Sequence, residues 1–480
     1  LSLNSTFFLA AFLPPNYQFQ FTDCFVSPLR VQGAIMDSKY LLSGLLFLTI
    51  FIFLTIDSTN LVKSQNLDEK FVYVTQSNAG DDILIHFANP YNLSADLIYP
   101  IQISGDFVLG EVEINSTRTY LSLIILDGQS SRVLLINLLN LDSEIVSSEI
   151  IFPSPPNLFM DNVQRIYWSP NGEYFATIEV SENGQDVFLY SVQDHTWVNF
   201  TNNDDIQYQI GWSSDSTRIA MYETLCLTDC PRNLSVYDIS QGSKVSSVSV
   251  GNILTGLEGA DSTLCKISWS PNDLYISFMA GCDGTVLSSA REIHLFAVNQ
   301  GIVSTLTDYN DTPVNTFDPY LFANYFLYWI SPDELLISSF WKRNQPQFET
   351  ETIIYRPSTG DHNIVSSSYL PDFSLSNNET LFYEVTYQSN NGRQVSPIRI
   401  GSLQNSQLVT NHILEIGCNP LWSPSANVIV YSTNTSPDYF CDSSINKFEF
   451  VDSNGSGIRQ IEVSLNDIVR IGGWVSQVNK

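Results

Sequence analysis

Positive charge is what this chain lacks most. Against 50 Asp and Glu stand 21 Lys and Arg, a formal net charge of −29 over 480 residues. Nucleic acid and anionic lipid surfaces both need a basic footprint, so neither is an expected partner. Histidine is scarce too. The five are His86, His195, His294, His362 and His412, and none forms an H-x-x-x-H or H-E-x-x-H pair. His86 and His294 sit in third-strand patterns, ILIHFA and EIHLFAV, and read as strand residues rather than ligands. There is no Gly-rich phosphate loop and no D-x-[DN]-x-[DN]-G calcium loop. Asp308, Asp311 and Asp318 make a loose acidic cluster that reads as a solvated loop. No cofactor or metal is therefore expected. A G-x-S-x-G nucleophile elbow is also missing; the nearest string, Gly211-Trp212-Ser213-Ser214-Asp215, lacks the final Gly.

What is present is a repeated phrase. It reads WSPNGEYFAT from Trp168, WSSDSTRIAM from Trp212, WSPNDLYISF from Trp269 and WSPSANVIVY from Trp422. Degenerate copies start at Ile114, Ile330 and Phe373, and Trp474 stands alone near the end. Successive anchors from Ile114 lie 54, 44, 57, 61, 43, 49 and 52 residues apart. A period of about 50 residues with one supersecondary unit per copy indicates a propeller or solenoid. The aromatic anchor ends one strand, and Ser-Pro-Asn-Gly supplies the turn. Seven residues past the anchor comes an apolar residue: Leu121, Phe175, Ile219, Ile276, Ile337 and Ile429. The Phe373 copy reaches Leu381 one residue late. Two more short strands follow, as in DVFLYSV (186–192) and NLSVYDI (233–239), so each copy predicts a four-stranded sheet.

The W-S-P-[DN]-G phrase followed by an apolar strand resembles the repeat of TolB-type, WD40-like β-propellers, and the propeller of the dipeptidyl peptidases. The resemblance runs from about Phe107 to Trp474. It implies an all-β chain with a single propeller of four-stranded blades. With six residues after Trp474, it implies the propeller without the peptidases' hydrolase. TolB's separate N-terminal domain is not seen either, because about 50 residues separate the apolar N-terminal run from the first repeat. Phe71–Thr75, Ile83–Phe87 and Leu97–Ile103 read as three strands without an anchor, and IVRIGGW (468–474) as a first strand without successors. Pairing these remnants gives an eighth, composite blade that leaves no open edge. Seven blades are the alternative, with the N-terminal strands padding the ring.

Residues 1–35 read as an upstream leader. Residues 36–56 read as a signal peptide or a retained membrane anchor, with the single long apolar run Tyr40–Ile56 and no A-x-A cleavage site. Residues 57–70 form a polar linker, and 71–480 the propeller. Either reading of the apolar run makes the protein extracytoplasmic, secreted or anchored at the cell surface. Beyond Cys24, six cysteines form three local pairs: Cys226 with Cys230, Cys265 with Cys282, and Cys418 with Cys441. Cys265 and Cys418 each precede a Trp anchor by four residues, and this matched placement predicts disulfides and an oxidising compartment. Nine N-x-[ST] sequons begin at Asn4, Asn92, Asn115, Asn199, Asn233, Asn310, Asn378, Asn434 and Asn454.

Long connections between second and third strands are expected at 223–232, 281–291, 340–350 and 434–446, with a long lead-in at 305–325. In a propeller both kinds open onto one face, where binding is expected. Trp341, Lys342 and Arg343 are the candidate binding residues, because Trp and Arg are common interface anchors and a basic pair is unusual in so acidic a chain. Tyr320, Phe322, Tyr325 and Phe326 read as blade core. The expected function is non-enzymatic binding or scaffolding, directed at a protein, peptide or cell-surface polysaccharide. A hydrolase or lyase with its site at the central tunnel, and a TolB-like envelope component, are the alternatives.

Overall fold

Short runs of Val, Ile, Phe and Tyr bounded by polar turns become strands. The inner strands of a blade bury side chains on both faces because a blade packs between two others, while the outermost strands are largely exposed. The computed structural model describes residues 69–476, apart from the segments 78–81, 94–96, 104–106, 128–129, 151–165, 182–183, 226–231, 251–263, 281–291, 307–323, 342–348, 368–371, 377–380, 386–387, 391–392, 396, 405–406, 434–444 and 465–466. The leader and the apolar segment 36–56 lie outside the described residues. Among those described, no helix is long and apolar enough to cross a membrane.

The strands form a closed β-propeller. Blade 1 is composite: Asp467–Val475 pairs antiparallel with Lys70–Ser77, followed outward by Asp82–Ala88 and Leu97–Gln102. Blade 2 runs Val108–Ile114, Tyr120–Asp127, Ser130–Asn137, Ser143–Ile150. Blade 3 runs Tyr167–Trp168, Tyr174–Val180, Gln185–Ser191, Thr196–Asn199, and blade 4 Ile206–Trp212, Arg218–Thr224, Arg232–Asp238, Ser243–Ser249. These two are joined by one parallel pair, Gln185 with Ile206. Blade 5 is Leu264–Trp269, Tyr275–Ala280, Glu292–Ala297, Ile302–Thr305, and blade 6 Asn324–Ser331, Glu334–Trp341, Glu349–Arg356, Asp361–Ser366. Blade 7 is Asp372–Leu375, Leu381–Val385, Pro397–Gln404, Gln407–Ile416, and blade 8 Cys418–Trp422, Val428–Thr433, Lys447–Asp452, Arg459–Glu462. Eight apolar clusters fill the eight interfaces between neighbouring blades. One of them is the seam between blades 8 and 1, where Val428, Val430, Phe448 and Phe450 meet Phe71, Tyr73 and Trp474. A ring of eight with a shared seam leaves no interface unfilled.

The residues seven past the anchor are the deepest points of this packing. Leu121, Phe175, Ile219, Ile276 and Ile429 are wholly buried. At four blades the Trp anchor clamps the blade to the one before. The indole N–H donates to a main-chain carbonyl of the preceding first strand: Trp212 to Tyr167 (2.9 Å), Trp269 to Gly211 (2.9 Å), Trp329 to Ser268 (3.3 Å) and Trp474 to Leu421 (3.3 Å). A side chain six residues past the previous anchor covers the ring. Tyr174 stacks on Trp212, the Arg218 guanidinium lies 4.9 Å from the Trp269 centroid, and Tyr275 stacks on Trp329. Gly211 is required at one such clamp, because a Cβ there would meet the Ile267 carbonyl oxygen at 2.8 Å.

Two anchors differ from the sequence expectation. Blade 6 uses Trp329, not Ile330, because only Trp329 can reach Ser268 and stack under Tyr275. In blade 7 the anchor's ladder position belongs to Leu375, which pairs with Phe382, rather than to Phe373, which is buried against blade 6.

The turns after the anchors are built alike. The serine following the anchor takes the N–H five residues on and hands its own proton to the residue two on. Ser169, Ser213 and Ser270 bind Asn171, Asp215 and Asn272 in this way, each at 2.7 Å. Ser213, the serine of the near-elbow string, is thus a buried turn clip. Four residues past the anchor, the backbone is left-handed at Arg118, Gly172, Ser216, Asp273 and Ala426. Only one of these is glycine. Two of the others put their strain to use, because their side chains accept N–H groups of the preceding blade's turn: Ser216 from Asn171 (2.9 Å), and Asp273 from Ser214 (2.6 Å) and Asp215 (3.2 Å).

Candidate functional site

Two faces of the ring differ in kind. One carries the tight turns just described, together with the turns between third and fourth strands. The other carries the connections between second and third strands and those from one blade to the next. Trp341 is the last residue of its strand and pairs with Glu349, so its backbone lies at the rim of this second, loop-bearing face. Lys342 and Arg343 lie outside the described residues, as do Asp308, Asp311, Asp318, Tyr320 and Phe322. Tyr325 and Phe326 are on the first strand of blade 6.

The same face carries a feature that the length of the connections does not reveal. Between the second and third strands of blade 7, Gln388–Asn390 pairs with Arg393–Val395 as a separate two-stranded ribbon. Asn391-Gly392 falls between its paired ends, and Asn-Gly is the strongest short hairpin signal a sequence carries.

Cys418 is buried and disulfide-bonded. Cys265 occupies the corresponding first strand of blade 5, while Cys226, Cys230, Cys282 and Cys441 lie outside the described residues.

Beneath the loop-bearing face lie carboxylates that the anchors locate. Glu179 and Glu223 each stand 11 residues past a Trp, near the end of a second strand, and both are buried. That shared offset is a signal the sequence offered. Glu179 accepts a hydrogen bond from Thr177 Oγ1 (2.7 Å), and burial pushes its pKa up to about 7. Across the ladder from it, Asp186 is pulled below the usual range. Burial opposes this, but Asn199 Nδ2 (2.8 Å), Thr201 Oγ1 (2.9 Å) and the Asn203 N–H together outweigh it. Glu223 accepts from Ser235 Oγ (2.6 Å) and Tyr237 OH (2.9 Å) and is paired with Lys244. Burial raises nearby Asp205, and the Glu223 charge adds to it. These groups are neutralised or held by donors, as buried charge requires.

The first strands form the inner rim, and those of several neighbouring blades touch one another, as in blades 1 and 2 and blades 4 and 5. They carry bulges at Gly472, Gly110–Glu111, Tyr208, Lys266–Ile267 and Asn419–Pro420. A bulge re-aims a side chain, and Lys266 and Asn419 both adopt left-handed φ there. Lys266, Asn419 and Arg470 are exposed on these inner strands. Arg470 donates to the Gly110 carbonyl (2.8 Å). The fields of Glu111 and Glu113 reach Tyr167, whose hydroxyl is raised by burial first and by these carboxylates second. No histidine lies on a first strand. His86 and His294 sit on third strands, stacked on Tyr73 and Phe278, and burial lowers both to a pKa of about 4. Among the described residues no group of three or more His, Cys, Asp or Glu could hold a metal ion.

No family model matches the chain, and no curated protein sequence matches it. Among solved structures, dipeptidyl peptidase 4 of Porphyromonas gingivalis superposes with a TM-score of 0.52 at 11% identity, over 82% of this chain and 60% of that one. An oligogalacturonate lyase of Vibrio parahaemolyticus gives a TM-score of 0.47 at 10% identity, over 76% of this chain and 94% of that one. For TolB of Acinetobacter baumannii the TM-score is 0.30 at 12% identity, over 62% and 64%. The likeness is therefore one of fold, and it does not single out TolB.

Proposed function

We propose that this protein is a non-enzymatic, extracytoplasmic binding or scaffold propeller that recognises a protein, peptide or cell-surface polymer through its loop-bearing face. The observation that carries the reading is the contrast between the faces. On one, turns lock neighbouring blades together. On the other, connections lengthen in several blades, and blade 7 adds a ribbon of its own. Rigid rings that vary their connections on one face do so for recognition. The disulfide at Cys418 supports an oxidising compartment outside the cytoplasm. The ligand would meet Trp341, Lys342 and Arg343 on blade 6.

The test is affinity capture from envelope and secreted fractions, beside peptide and glycan arrays, with the wild type and a Trp341→Ala/Arg343→Ala variant. The expected result is a partner held by the wild type and lost at least tenfold by the variant. Turnover of a polysaccharide or peptide, abolished by Glu111→Gln or Arg470→Ala at the inner rim, would overturn the reading in favour of a lyase or hydrolase.

A further inference from the structure

Nine sequons in an Asn- and Ser-rich chain carry little weight as sequence, but the fold sorts the four that lie wholly among the described residues; Asn4, Asn310, Asn378 and Asn434 lie outside them, as does Ser94 of the sequon at Asn92. At Asn115 the side chain is buried and fully occupied. Its Oδ1 accepts the N–H groups of Thr119 (2.8 Å) and Tyr120 (3.0 Å), and its Nδ2 donates to Thr117 Oγ1 (2.7 Å) and the Gly172 carbonyl (3.4 Å) of blade 3. At Asn199, Nδ2 donates to the buried Asp186 carboxylate, and the sequon's Thr201 hydroxyl does the same. In the sequon at Asn233, Ser235 is wholly buried and donates to Glu223. A glycan on the nitrogen of Asn115 or Asn199 would have to break an interior network, and at Asn233 the sequon's serine is held inside the blade.

Asn454 is different in every respect. Asn454-Gly455-Ser456 lies in the turn between Lys447–Asp452 and Arg459–Glu462 of blade 8, and both Asn454 and Ser456 are exposed. Asn454 Oδ1 accepts the backbone N–H of Ser456 (3.0 Å) and its hydroxyl (2.6 Å), so the sequon's own serine polarises the amide. Among the described residues Nδ2 has no partner. The turn leaves the ring on the face opposite the long connections.

From this geometry we infer that Asn454 is an N-glycosylation site, the acceptor for a lipid-pyrophosphate-linked oligosaccharide. The inference rests on the extracytoplasmic reading above. In the transfer, Nδ2 forms a bond to C1 of the first sugar and loses a proton. The bond from C1 to the pyrophosphate oxygen breaks, and the lipid pyrophosphate leaves. A glycan there keeps the loop-bearing face clear for a ligand and holds the opposite face in solvent.

The test expresses the full chain in a secretory eukaryotic host and separates luminal and secreted from cytosolic protein. Enzymatic deglycosylation in heavy-oxygen water then marks each formerly occupied Asn for peptide mass spectrometry. The expected result is the mark on Asn454 in most luminal molecules and on none at Asn115, Asn199 or Asn233. Ser456→Ala should remove it and Ser456→Thr restore it, with the melting temperature unchanged in both. An unmarked Asn454 in luminal protein, or marks at Asn115 or Asn199, would overturn the inference. A chain that stays cytosolic would instead refute the extracytoplasmic reading. The same full chain behind a host leader then tests the sequon by itself, so the two failures are distinguishable.

Discussion

The turn-bearing and loop-bearing faces solve opposite problems with the same residue types. On the turn face, Asp215 and Asp238 are held below the usual carboxylate range. For Asp215, burial opposes the shift and the N–H and hydroxyl donors of Thr217 and Ser213 outweigh it; for Asp238, the Ser240 hydroxyl leads. On the loop face, Glu179 and Asp205 are pushed up, in both cases first by burial, while Asp186 beside Glu179 is pulled down by the donors around it. The turns supply donors wherever a carboxylate sits, because the backbone there is fixed and its N–H groups point outward. At second-strand ends the N–H groups are already paired in the ladder, so the donors are side chains: Ser235, Tyr237 and Lys244 at Glu223, and Thr177 at Glu179. The turn face therefore holds its carboxylates charged, while the loop face mixes charged carboxylates with neutralised ones, and ring stability and loop variation are housed on opposite sides.

The largest test of this contrast is at an anchor. Trp269→Ala removes a buried indole, its bond to Gly211 and its contact with Arg218, and should cost about 3–5 kcal/mol in denaturant unfolding. Trp269→Phe keeps most of the packing and should cost about 1 kcal/mol. If the Ala variant cost no more than a surface change, the clamp would not be what holds blade 5 to blade 4.

The second test reads pH. Glu179 titrates near 7 in the folded protein and near 4.5 in the unfolded chain. The folded state therefore binds the extra proton between those values, and this group's contribution falls as pH rises through that window. The total is up to about 3 kcal/mol before allowing for relaxation. His86 and His294, at about 4 against 6.5, have the opposite sign and favour the folded state as pH rises from 4 to 6.5. Between pH 6.5 and 7.5 Glu179 acts without them, so Glu179→Gln should flatten the decline there and raise stability at pH 8, measured by urea titration. A slope that persists in the variant would place the titrating group elsewhere.

The smallest expected effect is on the loop face. Replacing the blade 7 ribbon, residues 388–395, by Asn-Gly should change stability by less than about 0.5 kcal/mol, since closing a loop depends only weakly on its length. A larger loss would show that the ribbon is part of the ring. No loss of stability with loss of a captured partner would tie the face to recognition.

Much of the ring was legible because the turn chemistry is local. Ser-Pro-Asn-Gly and the apolar residue seven past the anchor depend on neighbours within one hairpin, and Phe175, Ile219, Ile276 and Ile429 fell into the core as that spacing required. Ile330 was misread for the same reason. Ile330-Ser331-Pro332-Asp333 imitates the phrase, but the clamp is a contact between blades, and only the Trp one residue earlier reaches Ser268. The candidate site was less legible. Trp341 reaches the rim of the loop face, yet whether the groups beside it converge on a ligand depends on connections with no repeat to constrain them.

By itself the sequence determined the strand–turn–strand unit, its recurrence and the need for a composite closing blade, because these follow from local turn chemistry, short-range alternation and a repeat period. Tertiary structure alone decided which Trp clamps which carbonyl, which carboxylates are buried, and that the sequon at Asn454 stands open to solvent while those at Asn115 and Asn199 are tied into the interior. Those outcomes depend on side chains some 45 to 60 residues apart meeting across a blade interface, and burial exists only once the eight sheets have closed.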